Sequence, residues 1–231
     1  MNSIILRKDQ IQGKKAVLTF EQSEHLRNVI KVEIGDELKG TILEEGLTTL
    51  KVFTLGEQIE VIVGEILAGK HYPITLSIAA SRPPTMKKLF EHCSAMGTSR
   101  FKIHKAILSD KSYLTSKIYE RFEELSLLGL SQSAVFYKSP ELHKTYQYEQ
   151  SLAQDEQRII LSPYAQTKLK DVKIDIERPL TIAIGPERGW TNQEIMEFVD
   201  SGFQEVNIGP SIMRVENAAI SIMGYLNQLM E

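Results

Sequence analysis

Short apolar runs, broken by glycine and charged residues, mark the first seventy residues and predict strands. The alternation of apolar and polar positions is clearest over residues 58–63. The predicted strands are residues 16–20, 37–43, 47–55 and 58–67, and the one predicted helix is residues 21–32. Strands at this spacing are typical of a small β-barrel or β-sandwich.

A different pattern begins after residue 73. Apolar runs alternate with helical stretches there, as they do in the βαβ units of a mostly parallel sheet. The runs are residues 74–80, 158–161, 180–184 and 206–208, and the predicted helices are residues 85–96, 112–128, 192–200 and 215–230. The change at residues 69–73 predicts two domains, a β-domain over residues 1–70 and an α/β domain over residues 73–231.

Two of these helices have faces that lead to specific expectations. Cys93 falls on the apolar face of helix 85–96, which predicts a packed and unreactive thiol. The last helix has an apolar surface too wide for one buried stripe, made of Ala218, Ala219, Ile222, Met223, Leu226 and Leu229. Such a helix often packs on its own sheet and on a second subunit, so we expect a homodimer.

Composition indicates an ordinary globular chain: 231 residues, 42% hydrophobic and 25% charged. No run approaches the roughly 20 apolar residues of a membrane span, so we expect no membrane contact. The first ten residues reach Arg7, Lys8 and Asp9 without a signal-peptide pattern. A single cysteine suits a reducing compartment, and we therefore expect a cytoplasmic protein.

The net charge of −3 hides an uneven distribution. Residues 82–121 carry nine Lys and Arg against three Asp and Glu. A polyanion such as RNA needs a local positive surface of this kind, because phosphate attraction depends on nearby charge. Solvated faces of two helices would give the same count, so both interpretations stay open at this stage.

Most motifs with a known chemistry are missing from the sequence. The five histidines are far apart and form no HExxH motif, and a CxxC motif cannot form from one cysteine. The phosphate-loop pattern, the GxGxxG dinucleotide pattern and the GxSxG hydrolase pattern are also absent. We therefore expect no metal site.

Two loops that follow apolar strands are the best candidates for chemistry. The first follows the strand at residues 180–184, contains Gly185 and Gly189, and leads into a capping box formed by Thr191 and Glu194. Glycine lets the backbone approach a ligand closely, and open α/β sheets bind small molecules at the carboxyl ends of strands. Taken alone, this loop is explained more simply as a tight β-to-α turn.

The second loop begins at Gly209-Pro210 and leads into the last helix, with Arg214 and Glu216 at the helix start. An acid at that position is ordinary because it complements the helix dipole. An arginine there is unfavourable unless its charge meets a carboxylate, a ligand or an RNA phosphate. Arg214 is therefore the stronger functional candidate.

Three segments together resemble the bacterial 16S ribosomal RNA uridine-N3 methyltransferases, trefoil-knotted enzymes of the SPOUT superfamily. The segments read HLRNVIKVEIGDELKG (residues 25–40), IGPERGWTNQE (184–194) and NIGPSIMRVENAA (207–219). They are similar to the family patterns HLxxVLRxxxGDxL, GPEGG and LGxxILRxETA, in that order. The resemblance covers nearly the whole chain. It implies a PUA-like, RNA-binding β-barrel over residues 1–70 and a knotted, mostly parallel α/β methyltransferase domain over residues 73–231.

The resemblance also implies a function and a site. It implies S-adenosylmethionine as cofactor and methylation of a uridine N3 in 16S rRNA of the 30S subunit. The cofactor-binding residues expected on this basis are Leu161, Ser162, Pro163, Ile184, Gly185, Pro186, Glu187, Gly189, Ile208, Gly209, Ile212, Met213, Asn217 and Ala218. Arg214 and Glu216 are the expected catalytic residues, with Glu216 as either a proton acceptor or a structural cap and Glu187 as the other possible acceptor. The expected RNA contacts are Arg27, Lys31, Arg82, Lys87, Lys88 and Arg188.

The chain departs from the family patterns at a few positions. Arg188 replaces a glycine, Asn217 a threonine and Lys31 an arginine, and an arginine usual after Gln132-Ser133 is missing. Two alternatives therefore stay open: an inactive relative that binds RNA or assists assembly, and a methyltransferase of the same fold that acts on another RNA such as tRNA.

Overall fold

The computed structural model describes residues 2–146 and 157–230. The chain forms two compact units, one of Met1–His71 with Leu130–Ser139 and one of Tyr72–Gly129 with Pro140–Glu231. The unit boundary after residue 71 is close to the change of sequence pattern, and residues 130–139 return to the first unit.

Six strands form the sheet of the first unit. They are β1 (Ile4–Leu6), β2 (Ile11–Gln12), β3 (Lys15–Val17), β4 (Glu37–Ile42), β5 (Gly46–Leu55) and β6 (Ile59–Val63), in the order β1-β4-β5-β6-β3-β2. Only β1 and β4 pair in parallel. Residues of all six strands reach one apolar core, so the sheet curls around it in the manner expected of a PUA-like barrel.

The helix predicted over residues 21–32 is shorter than expected. Helix α1 (Phe20–His25) is followed by a π-helical turn, Leu26–Ile30, which ends at Lys31 with a φ of 60°. The strand predicted to reach residue 20 ends at Val17 instead, because Thr19 caps α1 by accepting a hydrogen bond from the Gln22 N–H. Phe20 therefore belongs to the helix.

The second unit contains a six-stranded parallel sheet, which confirms the α/β prediction. Its strands are β7 (Ile74–Ala79), β8 (Arg100–His104), β9 (Glu141–Thr145), β10 (Gln157–Leu161), β11 (Leu180–Ile184) and β12 (Gln204–Val206), in the order β12-β10-β11-β7-β8-β9. Strands β8 and β9 were not among the predicted strands. The trefoil knot implied by the resemblance stays a prediction.

Four helices accompany this sheet: α2 (Pro83–Ala95), α3 (Phe122–Ser133), α4 (Asn192–Asp200) and α5 (Val215–Leu229). The helix predicted over residues 112–128 is confirmed only from residue 122 onward. Two short 3₁₀ turns, Tyr113–Thr115 and Lys117–Arg121, precede α3. Ser116 lies between them in an extended conformation, and its hydroxyl accepts a hydrogen bond from the Ile118 N–H, so no continuous helix forms here. Gly129 continues α3 at a point where a Cβ would collide with the Glu91 carbonyl of α2.

The two helix faces singled out in the sequence are largely buried. Cys93 is fully buried, and desolvation raises the pKa of its thiol to about 12, which makes it the unreactive residue that was expected. On α5, Ala219, Ile222 and Leu226 are fully buried, whereas Leu229 is 40% exposed. Most of the wide apolar surface is therefore covered within the chain. Among the described residues, no helix is both long and apolar enough to span a membrane.

Candidate functional site

A cavity of about 230 Å³ opens at the carboxyl ends of β10, β11 and β12. These three strands are neighbours in the sheet, and because all are parallel their carboxyl ends meet at one edge. The loops that line the cavity cover residues 161–164, 184–190 and 207–213, and the first turn of α5 completes it. This is the place where open α/β sheets bind ligands.

Thirteen of the fourteen residues expected to bind a cofactor line this cavity. They are Leu161, Ser162, Pro163, Ile184, Gly185, Pro186, Glu187, Gly189, Ile208, Gly209, Ile212, Met213 and Ala218. Asn217 is an exposed residue of α5 outside the lining. Almost all of the cofactor-binding residues expected from the family resemblance therefore lie together on the surface of one cavity.

The loop after β11 depends on glycine at two positions. Gly189 has a φ of 75°, and its N–H donates a hydrogen bond of 2.8 Å to the Pro186 carbonyl. A Cβ on Gly185 would lie 3.1 Å from the Trp190 ring, so a larger residue there would crowd the indole. The loop is a tight turn, as the simpler interpretation held, and it also forms one wall of the cavity.

Trp190 lines the cavity and was missed in the sequence. Its ring stacks on His104, with centroids 5.8 Å apart and planes 5° apart, and contacts Phe198. Burial lowers the pKa of His104 to about 3, so this imidazole is neutral and serves as packing. Trp190 is the chain's only tryptophan, which is the one signal that could have singled it out.

Buried polar side chains hold the cavity loops in place through hydrogen bonds. Thr191 and Glu194 form the predicted capping box, and the second oxygen of Glu194 accepts from the Ile107 N–H at 2.7 Å. Asn207 is buried, donates to the Pro163 carbonyl at 2.7 Å and accepts from the Gly209 N–H at 2.8 Å. It therefore ties the loop after β10 to the loop after β12. Other lining residues missed in the sequence are Tyr164, Ile195, Ser211 and Val215.

Glu187, which lines the cavity, and Glu216, which does not, both contact α2 or its N-cap residue. Glu187 accepts a 3.0 Å hydrogen bond from the backbone N–H of Arg82 and lies 3.5 Å from its guanidinium. Glu216 is buried, and its Oε1 lies 3.1 Å from Lys88 Nζ. Arg214 is the exposed N-cap residue of α5. The helix dipole disfavours its positive charge there, and the nearby negative charge of Glu216 partly offsets this effect.

The ionisation of Glu216 follows from its surroundings. Burial opposes ionisation, but its own backbone N–H, the Lys88 ammonium and the Arg214 guanidinium together lower the pKa of this carboxyl below its ordinary value. Glu216 is therefore an anion at neutral pH.

The residues expected to contact RNA are divided between the two units. Arg27, which pairs with Glu24, and exposed Lys31 belong to the first unit. Arg82, Lys87 and Lys88 are exposed at the start of α2 in the second unit, and exposed Arg188 lies at the cavity. Within the part of the chain that the structure describes, no group of three or more His, Cys, Asp or Glu side chains could hold a metal ion.

Comparison with known proteins assigns the chain to a family. A family model described as an RNA methyltransferase domain matches residues 69–227, which include the whole parallel sheet and the cavity. The chain belongs to the RNA methyltransferase domain family. This assignment agrees with the resemblance read from the three sequence segments.

Relatives of this RNA methyltransferase are similar along nearly their full length. It is 28% identical over 235 residues to the ribosomal RNA small subunit methyltransferase E of Treponema pallidum, covering 95% of this chain and 88% of that one. It is 26% identical over 225 residues to methyltransferase E 1 of Borreliella burgdorferi, covering 88% of each.

A solved structure supports the fold of both units. The crystal structure of the ribosomal RNA small subunit methyltransferase E of Neisseria gonorrhoeae, bound to S-adenosyl methionine, superposes with a TM-score of 0.83. The match covers 99% of this chain and 98% of that chain at 21% identity. The described residues of both units therefore share that fold.

Proposed function

We propose that the protein methylates N3 of a uridine in 16S rRNA, with S-adenosylmethionine as methyl donor and the small ribosomal subunit as substrate. The observation that carries this proposal is the cavity built by three strand-end loops in a member of the RNA methyltransferase family. The names of the Treponema and Borreliella relatives and the cofactor bound to the Neisseria enzyme support it. Such a protein acts in the cytoplasm.

The cavity has the chemistry that an adenosyl cofactor needs. Apolar side chains such as Leu161, Ile184 and Ile208 can enclose an adenine ring, while the backbone of the glycine-containing loops can approach and hydrogen-bond polar groups. When bound, the cofactor supplies the reactive methyl group. The protein must hold an unstacked uridine beside it, because a paired base cannot present N3.

In this proposal, charged residues near the cavity stabilise the reacting uracil and bind the RNA. Arg214 stabilises negative charge on the uracil or fixes an adjoining phosphate. Arg188, which lines the cavity and is exposed, contacts the RNA backbone. Arg27, Lys31, Arg82 and Lys87 extend RNA binding beyond the cavity, so the first unit contributes to substrate binding.

Titration with S-adenosylmethionine separates an enzyme from an inactive relative. Because Trp190 lines the cavity and is the only tryptophan, its fluorescence should change and saturate as the cofactor binds. Trp190→Phe should remove the signal while calorimetry still detects binding. A wild-type protein whose fluorescence and heat of mixing stay unchanged would point to an RNA-binding protein without methyltransferase activity.

Charge reversal at Lys87 tests the contribution of the basic segment to RNA binding. Lys87→Glu should weaken binding to 30S subunits and reduce the slope of log affinity against log salt by about one phosphate contact. Lys87 is preferable to Lys88, whose reversal would also leave the buried Glu216 facing another anion. Equal affinities at several salt concentrations would make the segment an ordinary solvated surface.

We also propose a homodimer. The exposed apolar side chains that remain beside the cavity and at the end of α5, Tyr164, Ile212 and Leu229, offer surface for a second copy. Light scattering at micromolar concentration should give about twice the 26.2 kDa mass of the chain. A monomer mass under these conditions would contradict the proposal.

A further inference from the structure

Lys88 and Glu216 form an ion pair between two helices that are far apart in sequence. Lys88 lies on α2, Glu216 lies in the first turn of α5, and the two residues are 128 positions apart. The carboxylate side chain is only 7% exposed, whereas the lysine side chain is 52% exposed. The pair therefore joins a buried anion to a cation whose side chain is half exposed.

The anion is held tightly by its environment. A buried carboxylate is costly unless it is paired and hydrogen-bonded, and here Lys88, Arg214 and the backbone N–H of Glu216 supply the positive partners. These groups face Glu216 from α2, from the N-cap of α5 and from its own backbone. A proton acceptor works best with a pKa near the operating pH. The surroundings of Glu216 instead lower the pKa of its carboxyl, farther from neutral pH.

The cation, in contrast, is available for a substrate. A lysine ammonium has three N–H donors, and one is directed to Glu216 at 3.1 Å. Lys88 and Glu216 are not among the residues that line the cavity, but Val215 and Ala218, which flank Glu216 in the first turn of α5, both line it. The pair therefore lies at the helix turn that completes the cavity wall. A charge held in advance next to a reaction stabilises developing opposite charge without reorganisation.

We propose that Glu216 is a positioning residue that holds the Lys88 ammonium toward the uracil anion, and that Glu216 does not accept the substrate proton. The inference rests on the proposed function. In this step the N3–H bond breaks, its electron pair remains on the uracil ring, and the proton passes to water. The resulting negative charge, spread over the ring oxygens, is stabilised by Lys88 together with Arg214.

The rate should therefore follow ionisation of the uracil rather than of Glu216. Single-turnover methyl transfer to 30S subunits at saturating cofactor should rise with pH and approach a plateau as the imide ionises. Lys88→Met and Glu216→Gln should each lower the rate at neutral pH by about tenfold and move the profile upward by about one pH unit. Lys88→Met removes the cation beside the uracil anion, and Glu216→Gln removes the carboxylate that holds that cation in position. The double variant should be no slower than the slower single variant, since both disturb one interaction.

Matched variants separate this role from a general loss of structure. Lys88→Arg should recover most of the rate because it restores the charge. Lys111→Met, which removes an exposed lysine of the same basic segment, should leave the pH profile unchanged. The Trp190 titration with S-adenosylmethionine should stay close to wild type in Lys88→Met. Its melting temperature should fall because the buried Glu216 loses a partner, so the rates are compared at a temperature at which every variant is folded.

Two results would overturn the inference while leaving the proposed function in place. One is complete loss of transfer in a folded Glu216→Gln protein together with a normal rate in Lys88→Met, which would make Glu216 the proton acceptor. The other is a pH profile that does not move in either variant. Failure of the wild-type protein to transfer methyl groups would instead refute the proposed function itself.

Discussion

Gly189→Val is expected to abolish measurable binding of S-adenosylmethionine while the protein remains folded. Gly189 has a φ of 75°, and a Cβ built there meets no atom within 4 Å, so the substitution adds strain rather than a clash within the protein. A β-branched residue in this backbone region costs about 1–3 kcal/mol and favours another loop conformation. Because the loop forms a wall of the cavity, its altered conformation should weaken cofactor binding.

A glycine with the same geometry elsewhere provides the control. Gly13, in the turn between β2 and β3, has a φ of 62° and also faces open space. Gly13→Val should lower the melting temperature by a similar amount but leave the calorimetric titration with S-adenosylmethionine unchanged. If Gly189→Val binds the cofactor as wild type does, the loop after β11 is only a turn.

Arg214→Ala is expected to lower the methylation rate by about a hundredfold or more, with nearly unchanged cofactor affinity and thermal stability. Loss of one preorganised charge at a reacting group has an effect of this size. Arg214 is exposed and makes no side-chain capping bond to α5, so its removal should not weaken the helix start. Single-turnover transfer to 30S subunits, alongside melting temperature, measures both quantities.

Two further arginine variants test whether the rate depends on a guanidinium group at position 214. Arg214→Lys should recover only part of the rate, because a point charge cannot replace a planar, two-pronged donor. Arg121→Ala removes an exposed arginine that pairs with Glu124 on α3, and it should leave the rate unchanged. Normal turnover in Arg214→Ala would assign Arg214 a structural role and move the catalytic assignment to Glu187 or Arg188.

Two of the three strands around the cavity could be predicted from apolar runs, the end of β10 and the whole of β11. Strand β12 begins with the polar pair Gln204-Glu205 and overlaps the predicted run 206–208 only at Val206. All five residues of β11 are buried, and its bounds match the predicted run. Strand β8 alternates Arg100, Lys102 and His104 with apolar residues, and β9 is largely exposed. Short strands with so much polar character resemble loops in sequence, which is why both were missed.

The members of the site were predictable only in part. Gly-Pro after an apolar run marks both main loops, and the resemblance to a family added the remaining positions. Contacts between distant segments leave no local pattern, as in the Lys88–Glu216 pair, the Arg82–Glu187 pair and the buried Asn207. They depend on how α2 and α5 pack and on how parallel strands bring their carboxyl ends together.

The most direct test of the proposed function compares methyl acceptors. The protein is incubated with S-adenosylmethionine carrying a labelled methyl group and with either 30S subunits that lack the modification or unmodified tRNA. The RNA is then digested to nucleosides and analysed by mass spectrometry. We expect label in 16S rRNA as N3-methyluridine and none in tRNA. Label in tRNA alone, a methyl group on another atom, or no transfer to either RNA would contradict the assignment.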